Sequence, residues 1–388
     1  MLIVCYFIAY YDFRINNVVL LSRGGCHQCY GVTGSIQNGK NLTKEHKIMN
    51  MKRTCSVAIS MALAFFVITA QAQTKLTLST FVPPSHPMMT DVLQPWAKNV
   101  AEATEGRVEV IILPSPLGHP KVHYDLASEG QVDIGYGSQG YTPGRFTLFK
   151  MVEFPFAGDS AEATSVAYWR TYKKYLEKAG EYKDVKVLGL FTHGPGAIHN
   201  TKRDIRSQED FANLKMRVGG GFMNDLAQGL GAVTLQKPSP SSYELLSSGV
   251  ADGTLFPLES VVSFNVQDIV KHTTLIPGGL YNFGFFLVMN RDRFDELDSK
   301  DQAAIDSVSG EALAHLAGKM WDKWDAKGLL TIVENGNTVV KADDHFVNQI
   351  HAVAEPMEVK WIEEANSLGV DGQAALSYYR SLSIELQK

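Results

Sequence analysis

The spacing of apolar residues changes repeatedly along residues 75–290, between a period of two and a helical period. Alternating or unbroken apolar runs predict strands, at 75–81, 107–114, 131–139, 185–194, 214–220, 232–236 and 251–259. Apolar residues three and four positions apart predict helices between them, at 88–106, 123–130, 160–180, 207–214, 222–231 and 241–249. Because the run at 107–114 is nearly all apolar, we expect it to be buried on both faces of a parallel sheet.

The alternation of strands and helices predicts an α/β fold with largely parallel sheets. After the last strand the pattern is helical almost to the end of the chain. A capping box at Ser299 and Gln302 predicts a long helix to about Gly328. A second long helix is predicted at 343–368, with an interruption at Pro356. Since no flexible linker separates these elements, we expect two α/β lobes between which the chain crosses more than once, with a cleft suited to a ligand.

The sequence of the N-terminal region predicts a secretion signal that begins at Met51 and not at residue 1. Residues 51–72, MKRTCSVAISMALAFFVITAQA, combine a basic start, an apolar core and a small-x-small end, which predicts cleavage near Ala72 and a mature start at Gln73. The alternative is a buried helix. Residues 1–50 are interpreted as an upstream extension from a start site assigned too early; the alternative is a cytoplasmic tail held by an uncleaved anchor.

Removal of residues 1–72 changes the composition. All four cysteines lie in that segment, so the mature chain of 316 residues has no thiol and depends on its core for stability. It retains 29 Lys and Arg against 39 Asp and Glu, a formal charge of −10. An acidic chain without a basic run argues against binding of nucleic acid or anionic membrane surfaces. An anionic ligand would need a local basic group.

Several short segments resemble catalytic or cofactor-binding motifs, but the residues around them do not fit those motifs. The GYGSQG segment at 135–140 fits a dinucleotide fingerprint, but Pro143 and Gly144 oppose the helix that should follow. A strand that ends in a loop at a ligand-binding sheet edge is the better interpretation, and it predicts that Gln139 and Tyr141 face the cleft. His193 and His199 lack a metal-ligand pattern. We therefore predict no metal and no cofactor.

Arg217 is the candidate anion-binding residue. In the strand LKMRV, Lys215 and Arg217 share the face opposite the apolar residues. The three glycines at 219–221 would let a ligand approach the backbone, and the helix that follows would favour a negative charge at its N-terminus. A guanidinium matches a carboxylate through two parallel hydrogen bonds. These features predict a carboxylate clamp, whereas a solvated strand face is the simpler alternative.

The mature chain resembles the solute-binding proteins of TRAP (tripartite ATP-independent periplasmic) transporters, of the dicarboxylate-binding type. The resemblance runs from about Lys75 to Leu368 and depends on the order of five segments, which are EATEGRVEVIILPSPLGHP (102–120), EGQVDIGYGS (129–138), NLKMRVGGG (213–221), SSYELLSSGVADG (241–253) and LDSKDQAAIDSVSGEALAHLAGKMWDKWD (297–325).

The resemblance implies a two-lobed periplasmic binding protein fold with crossing strands and a long lobe-spanning helix. Lobe 1 would comprise 73–195 and about 283–322, and lobe 2 would comprise 196–282 and about 323–388. It further implies a monomeric, non-enzymatic periplasmic protein that captures a small organic acid and delivers it to the membrane subunits of a TRAP permease. The alternative is a secreted hydrolase or lyase that acts on a carboxylate in the cleft.

The resemblance also implies site residues. The family's carboxylate-binding arginine stands at Arg217. Phe256 departs from the pattern, because the family often has Asn four residues after the aspartate that is Asp252 here. This departure indicates an apolar or aromatic wall, and thus a 2-oxo, 2-hydroxy or aromatic monocarboxylate rather than a sugar acid. Further candidate lining residues are Phe81, His193, Gly219, Glu259, Tyr281 and Phe283. Glu259 could instead simply begin a helix.

Overall fold

The computed structural model of the chain describes residues 73–388. The predicted extension, signal peptide and cleavage site therefore lie outside the described residues, apart from Gln73 itself. The strands are β1 Thr74–Thr80, β2 Val108–Ile112, β3 Ile134–Ser138, β4 Val185–Thr192, β5 Ala197–Asn200, β6 Lys215–Val218, β7 Val233–Gln236, β8 Gly253–Phe256, β9 His272–Leu275, β10 Gly284–Asn290 and β11 Thr338–Lys341.

Helices alternate with these strands and dominate the C-terminal part. The α-helices are α1 Gln94–Ala103, α2 His123–Ser128, α3 Ala161–Thr171, α4 Gln208–Phe211, α5 Phe222–Gly229, α6 Ser242–Ser247, α7 Leu258–Ser263, α8 Arg291–Asp295, α9 Ser299–Ser307, α10 Glu311–Glu334, α11 Asp344–Ser367 and α12 Gly372–Glu385. Short 3₁₀ segments follow β3 (Gln139–Tyr141), precede the α3 region (Leu148–Glu153) and follow β7 (Ser239–Ser241). Within residues 73–388, no helix is both long enough and apolar enough to cross a membrane.

The strands form two sheets, and each sheet is the centre of one lobe. The first has the order β2-β1-β3-β10-β4 and the second the order β11-β9-β5-β8-β6-β7. Most pairs are parallel, as predicted, but β10 runs against β3 and β4, and β5 runs against β8 and β9. The predicted α/β class is confirmed, and the two antiparallel strands are those next to the points where the chain changes lobe.

The chain passes between the sheets by two short segments and one helix. Residues 193–196 join β4 to β5, and residues 276–283 join β9 to β10. Helix α10 packs on α3 beside the first sheet and on α7 beside the second, then leads to β11 in the second sheet. Two crossings and a lobe-spanning helix are thus present as the resemblance implies, although the crossing segments themselves are irregular and not strands. The lobe boundaries stay a prediction, and the structure adds that α12 packs against α3.

Three local predictions for the helices are wrong. The long helix predicted from Ser299 is broken at Gly310, which has φ +60° and whose Cβ, if present, would lie 2.7 Å from Trp169. Asp298, and not Ser299, caps α9 by accepting from Lys300 N at 2.8 Å. Pro356 does not interrupt α11, because a packed face on both sides of it holds the helix together despite the missing N–H.

The prediction for the apolar run at 107–114 is also wrong in one respect. It forms β2, parallel to β1, but β2 is the edge strand of the first sheet and Ile111 is partly exposed. An unbroken apolar run does not distinguish a central strand from an edge strand that a helix covers. Here α1 packs on β2.

Candidate functional site

A cavity lies where the carboxyl ends of strands from both sheets meet the crossing segments. Its enclosed free volume is about 30 Å³, and it reaches about 430 Å³ only when the adjoining open space is included. Its walls are mostly aromatic, and the lining residues are Phe81, Val82, His86, Tyr136, Tyr141, His193, Arg217, Gly219, Met223, Ser239, Phe256, Pro257, Glu259, Ser260, Phe264, Tyr281, Phe283, Phe285 and Trp321.

Arg217 reaches this cavity from β6 and is buried, with 1% of its surface exposed. Its Nε donates to the Lys237 carbonyl at 2.8 Å and its Nη2 donates to Ser239 Oγ at 3.4 Å. Its Cζ lies 4.8 Å from the centre of the Phe256 ring, within reach of a cation–π interaction. The strand face predicted from the sequence is correct, but Lys215 on the same face is exposed, so burial singles out Arg217.

No carboxylate among residues 73–388 forms an ion pair with Arg217. Burial lowers the pKa of Arg217 from its ordinary value, and the nearby Tyr141 and Tyr281 oppose that shift. A guanidinium nevertheless stays protonated in proteins, so the cavity contains a desolvated positive charge. Such a charge is costly unless an anion accompanies it. The geometry therefore favours a ligand that supplies a negative group.

Contacts from the first lobe close over Arg217. Tyr141, which follows β3, has its hydroxyl 2.9 Å from Ser239 Oγ and accepts from Ser239 N at 3.1 Å. Ser239 is also an acceptor for Arg217, as described above. The same hydrogen-bonded group thus joins the two lobes and contacts the guanidinium.

Two of the glycines at 219–221 lie where atoms of the first lobe approach the backbone closely. A Cβ on Gly220, which has φ +117°, would lie 2.6 Å from the Gly140 carbonyl of the first lobe. A Cβ on Gly221 would collide with the Glu153 carboxyl group. Gly219 lines the cavity, as predicted for it. Gly220 and Gly221 are thus required by the close approach of the first lobe, and the approach of a ligand to the three glycines stays a prediction.

The N-terminus of α5 was predicted to attract the negative charge of a ligand, and the structure places a protein carboxyl group there instead. Glu153, fully buried, accepts from Phe222 N at 2.8 Å through Oε2. Its Oε1 has no hydrogen-bond partner among the described residues. Burial, opposed by the Phe222 and Gly284 N–H groups, raises the pKa of Glu153 well above its ordinary value.

Stacked rings form the walls beside Arg217. Phe81 stacks on Tyr136 with ring centres 5.4 Å apart, and Tyr136 stacks on Phe285 at 5.8 Å. Phe285 in turn stacks on Trp321 at 5.2 Å. On the other side Phe256 stacks on Phe264 at 5.5 Å. Such walls favour a flat apolar group on the ligand.

Glu259 and His86 form a second polar group in the cavity. His86 Nδ1 accepts from Met88 N at 3.1 Å, so its Nε2 carries the proton and faces Glu259 Oε1 at 3.5 Å. Burial lowers the pKa of His86, opposed by Glu259. Glu259 stands in the first turn of α7 and accepts from Ser260 Oγ at 2.8 Å and from Ser263 Oγ. The helix-start alternative is therefore correct, and a ligand contact stays a prediction.

His193 directly follows β4, and its ring centre lies 5.1 Å from that of Tyr281 and 6.2 Å from that of Phe283. Its Nδ1 lies 2.5 Å from the Gly194 carbonyl, and burial lowers its pKa to about 4. His199 is on β5, with Nδ1 at 3.0 Å from Thr273 Oγ1, and does not line the cavity. Residues 73–388 contain no cluster of three or more metal-ligating side chains.

The structure brings nine of the ten candidate residues to this cavity. The exception is Gln139, whose Nε2 donates to the hydroxyls of Tyr182 at 2.8 Å and Tyr168 at 3.1 Å inside the first lobe. Its placement in the cleft was predicted from position alone, and the side chain turns to buried hydroxyls instead. Sequence reasoning did not select several other lining residues, among them Tyr136, Ser239, Phe264, Phe285 and Trp321.

The cavity and fold define a two-lobed binding protein, and comparison identifies its family. The family described as bacterial extracellular solute-binding protein, family 7, matches residues 78–364, and the chain belongs to it. The resemblance to TRAP solute-binding proteins is thus confirmed. An "outer membrane transporter protein TsaT" of Comamonas testosteroni is 32% identical over 332 residues, which are 85% of this chain and 97% of the relative.

Solved structures agree with this assignment. A TRAP periplasmic solute-binding protein of Bordetella bronchiseptica, with bound (R)- and (S)-mandelate, is 42% identical with a TM-score of 0.79, over 81% of this chain and 99% of the other. A TRAP solute-binding protein of Rhodoferax ferrireducens with copurified benzoate is 30% identical with a TM-score of 0.75, over 81% and 98% of the chains. This chain is therefore a solute-binding protein of a TRAP transport system, in an extracytoplasmic family.

Proposed function

We propose that this protein captures a small aromatic monocarboxylate in the periplasm and delivers it to the membrane subunits of a TRAP-type permease, without converting it. The observation that carries the proposal is the buried Arg217 in an aromatic cavity, with no carboxylate partner among the described residues. The ligand's carboxylate would supply the missing charge, and its ring would lie against the stacked walls.

Glu259 favours one carboxylate on the ligand over two. It brings a carboxyl group into the same cavity as Arg217, so a second negative charge on the ligand would face repulsion in a desolvated space. The aromatic walls offer few partners for a sugar acid, whose hydroxyl groups would lose their hydration. The relatives described with mandelate and benzoate support the same class of ligand.

Calorimetry with matched acids and amides tests the proposal. Benzoate and mandelate keep the charge, whereas benzamide and mandelamide keep the shape without it. We expect the acids to bind at least about 30-fold more tightly, since loss of a buried charge pair costs roughly 2 kcal/mol or more. Equal binding of acid and amide would contradict the carboxylate clamp. Succinate and glucuronate serve as dicarboxylate and sugar-acid controls and should bind weakly.

Incubation of the purified protein with its ligand tests whether the protein only binds the ligand or also converts it. Chromatography of the ligand after prolonged incubation should recover it unchanged, and conversion to a product would support the hydrolase or lyase alternative. Mass spectrometry of the protein purified from the periplasm should find Gln73 at the N-terminus. A membrane-bound chain in the same cells that begins upstream of residue 51 would instead support the cytoplasmic-tail interpretation.

A further inference from the structure

The aromatic wall of the cavity contains an indole N–H without a partner. Trp321, on the lobe-spanning helix α10, is 2% exposed and lines the cavity. Its Nε1 is buried and has no hydrogen-bond partner in the described part of the chain. Most buried donors in proteins are paired, and an indole N–H can only donate. This position therefore suits an acceptor atom that the ligand brings.

His193 places a complementary acceptor in the same wall. A carbonyl accepts, so the 2.5 Å contact with the Gly194 carbonyl fixes the ring proton on Nδ1. The ring is neutral near pH 7, because burial lowers the pKa to about 4, and Nε2 then presents a lone pair. The structure gives Nε2 no hydrogen bond from any residue in 73–388. The centres of the His193 and Trp321 rings are 6.4 Å apart.

We infer that His193 and Trp321 together recognise a hydroxyl group on the bound acid. The ligand O–H donates to His193 Nε2, and the same oxygen accepts from Trp321 Nε1–H. A hydroxyl is the simplest group with both a donor and acceptor lone pairs. The inference rests on the proposed function and narrows it, from aromatic monocarboxylates to hydroxylated aromatic monocarboxylates.

The pair should also discriminate between oxidation states of the ligand. A keto oxygen can accept from Trp321, but it has no proton for His193, so two lone pairs would face each other. An acid without oxygen at that position leaves both groups unpaired. A site built to bond a hydroxyl rejects analogues that lack it more strongly than an apolar pocket rejects a size change.

Calorimetry with a ligand series tests this. The probes are phenylacetate, mandelate (its 2-hydroxy derivative), phenylglyoxylate (the 2-oxo form), and 3- and 4-hydroxyphenylacetate, which move the hydroxyl around the ring. We expect the parent protein to bind at least one hydroxylated acid about tenfold or more tightly than phenylacetate. The affinity for phenylglyoxylate should be similar to that for phenylacetate and not to that for mandelate.

Two variants attribute the preference to the pair. Trp321→Phe keeps a ring and removes the N–H, and His193→Phe removes the acceptor. In each, the ratio between the Kd of phenylacetate and that of the preferred hydroxylated acid should fall to about threefold or less, whatever the change in the two absolute affinities. Trp324→Phe is the matched control, since that indole on the same helix donates to Asp91 Oδ2 at 3.0 Å and does not line the cavity.

The outcomes separate this inference from the proposed function. Equal binding of phenylacetate and every hydroxylated acid, or an unchanged ratio in both folded variants, overturns the hydroxyl recognition alone. A parent protein that binds none of these acids overturns the proposed function and this inference with it. Circular dichroism establishes that each variant is folded, and the two variants test the same pair independently.

Discussion

Replacement of Arg217 by alanine should weaken ligand binding by about 2–5 kcal/mol, the cost of breaking a buried hydrogen-bonded charge pair. This corresponds to about 30-fold to several-thousand-fold in Kd. The upper part of this range is favoured because Arg217 is almost fully buried and no carboxylate of residues 73–388 pairs with it. Under the proposed function the ligand would be its counterion, and the buried guanidinium would have no protein carboxylate to replace it.

Isothermal titration calorimetry of parent and variant with the best aromatic acid measures the effect directly. The matched control is Arg206→Ala, which removes an exposed arginine of the second lobe that pairs with Asp204 at 3.4 Å. Its Kd should stay within about twofold of the parent, since exposed ion pairs contribute about 0–1 kcal/mol even to their own stability. An Arg217→Ala protein with a Kd within about threefold of the parent would refute the clamp.

Three other substitutions test the aromatic walls of the cavity, the closure of the two lobes and the buried carboxyl group of Glu153. Phe256→Leu should weaken binding by about 0.5–2 kcal/mol in calorimetry, because the cation–π contact with Arg217 that orients the guanidinium is lost. Gly220→Ala should weaken binding by about tenfold or more, since its Cβ meets a first-lobe carbonyl when the lobes are closed. Glu153→Gln should become more stable relative to the parent as pH rises above about 4.5, in urea unfolding followed by circular dichroism.

The sign of the last prediction follows from proton linkage. Burial raises the pKa of Glu153, so the folded parent holds a proton that the unfolded chain has released, and its stability falls as pH rises from the ordinary carboxyl pKa through the raised one. The side-chain amide of the Glu153→Gln variant has no such proton to release. The substitution Glu363→Gln, at an exposed position, provides the control. A difference in unfolding free energy between Glu153→Gln and the parent that is constant over roughly pH 4–8 would contradict the reasoning.

Gly249→Ala is the control for Gly220→Ala. Gly249 also has a positive φ, of +71°, but a Cβ there would have no atom within 4 Å. Both variants incur a similar backbone strain, and only Gly220→Ala should lose affinity. If the two variants bind equally well, Gly220 has no role in closure. A Phe256→Leu protein with parental affinity would likewise remove Phe256 from the site.

The sequence was sufficient for the fold class and for the strand face on which Arg217 lies, because both depend on local patterns. The periods of strands and helices can be recognised from neighbouring residues alone. In the same way, the alternation of residues in β6 indicates that Arg217 lies opposite the apolar face of its strand. The same local view failed at Gln139, because its side-chain direction is set by Tyr168 and Tyr182, which are 29 and 43 residues away in the chain. A periodic pattern carries no information about such partners.

The aromatic walls were underestimated for a related reason. Phe285 lies in the apolar run of β10 and Trp321 in the apolar stripe of α10, where the sequence cannot distinguish a core ring from a cavity ring. The packing role of Gly220 and Gly221 could not be predicted because the groups they approach, Gly140 and Glu153, belong to the other lobe. Only the packing of one lobe on the other reveals what a Cβ at Gly220 would meet.

The most direct measurement is a crystal structure of the protein with its tightest-binding aromatic acid. The account predicts the ligand ring between Phe81 and Phe256 in the cavity, with carboxylate oxygens about 2.7–2.9 Å from the guanidinium nitrogens of Arg217. A carboxylate bound elsewhere, with only water or protein atoms at the Arg217 guanidinium, would contradict it.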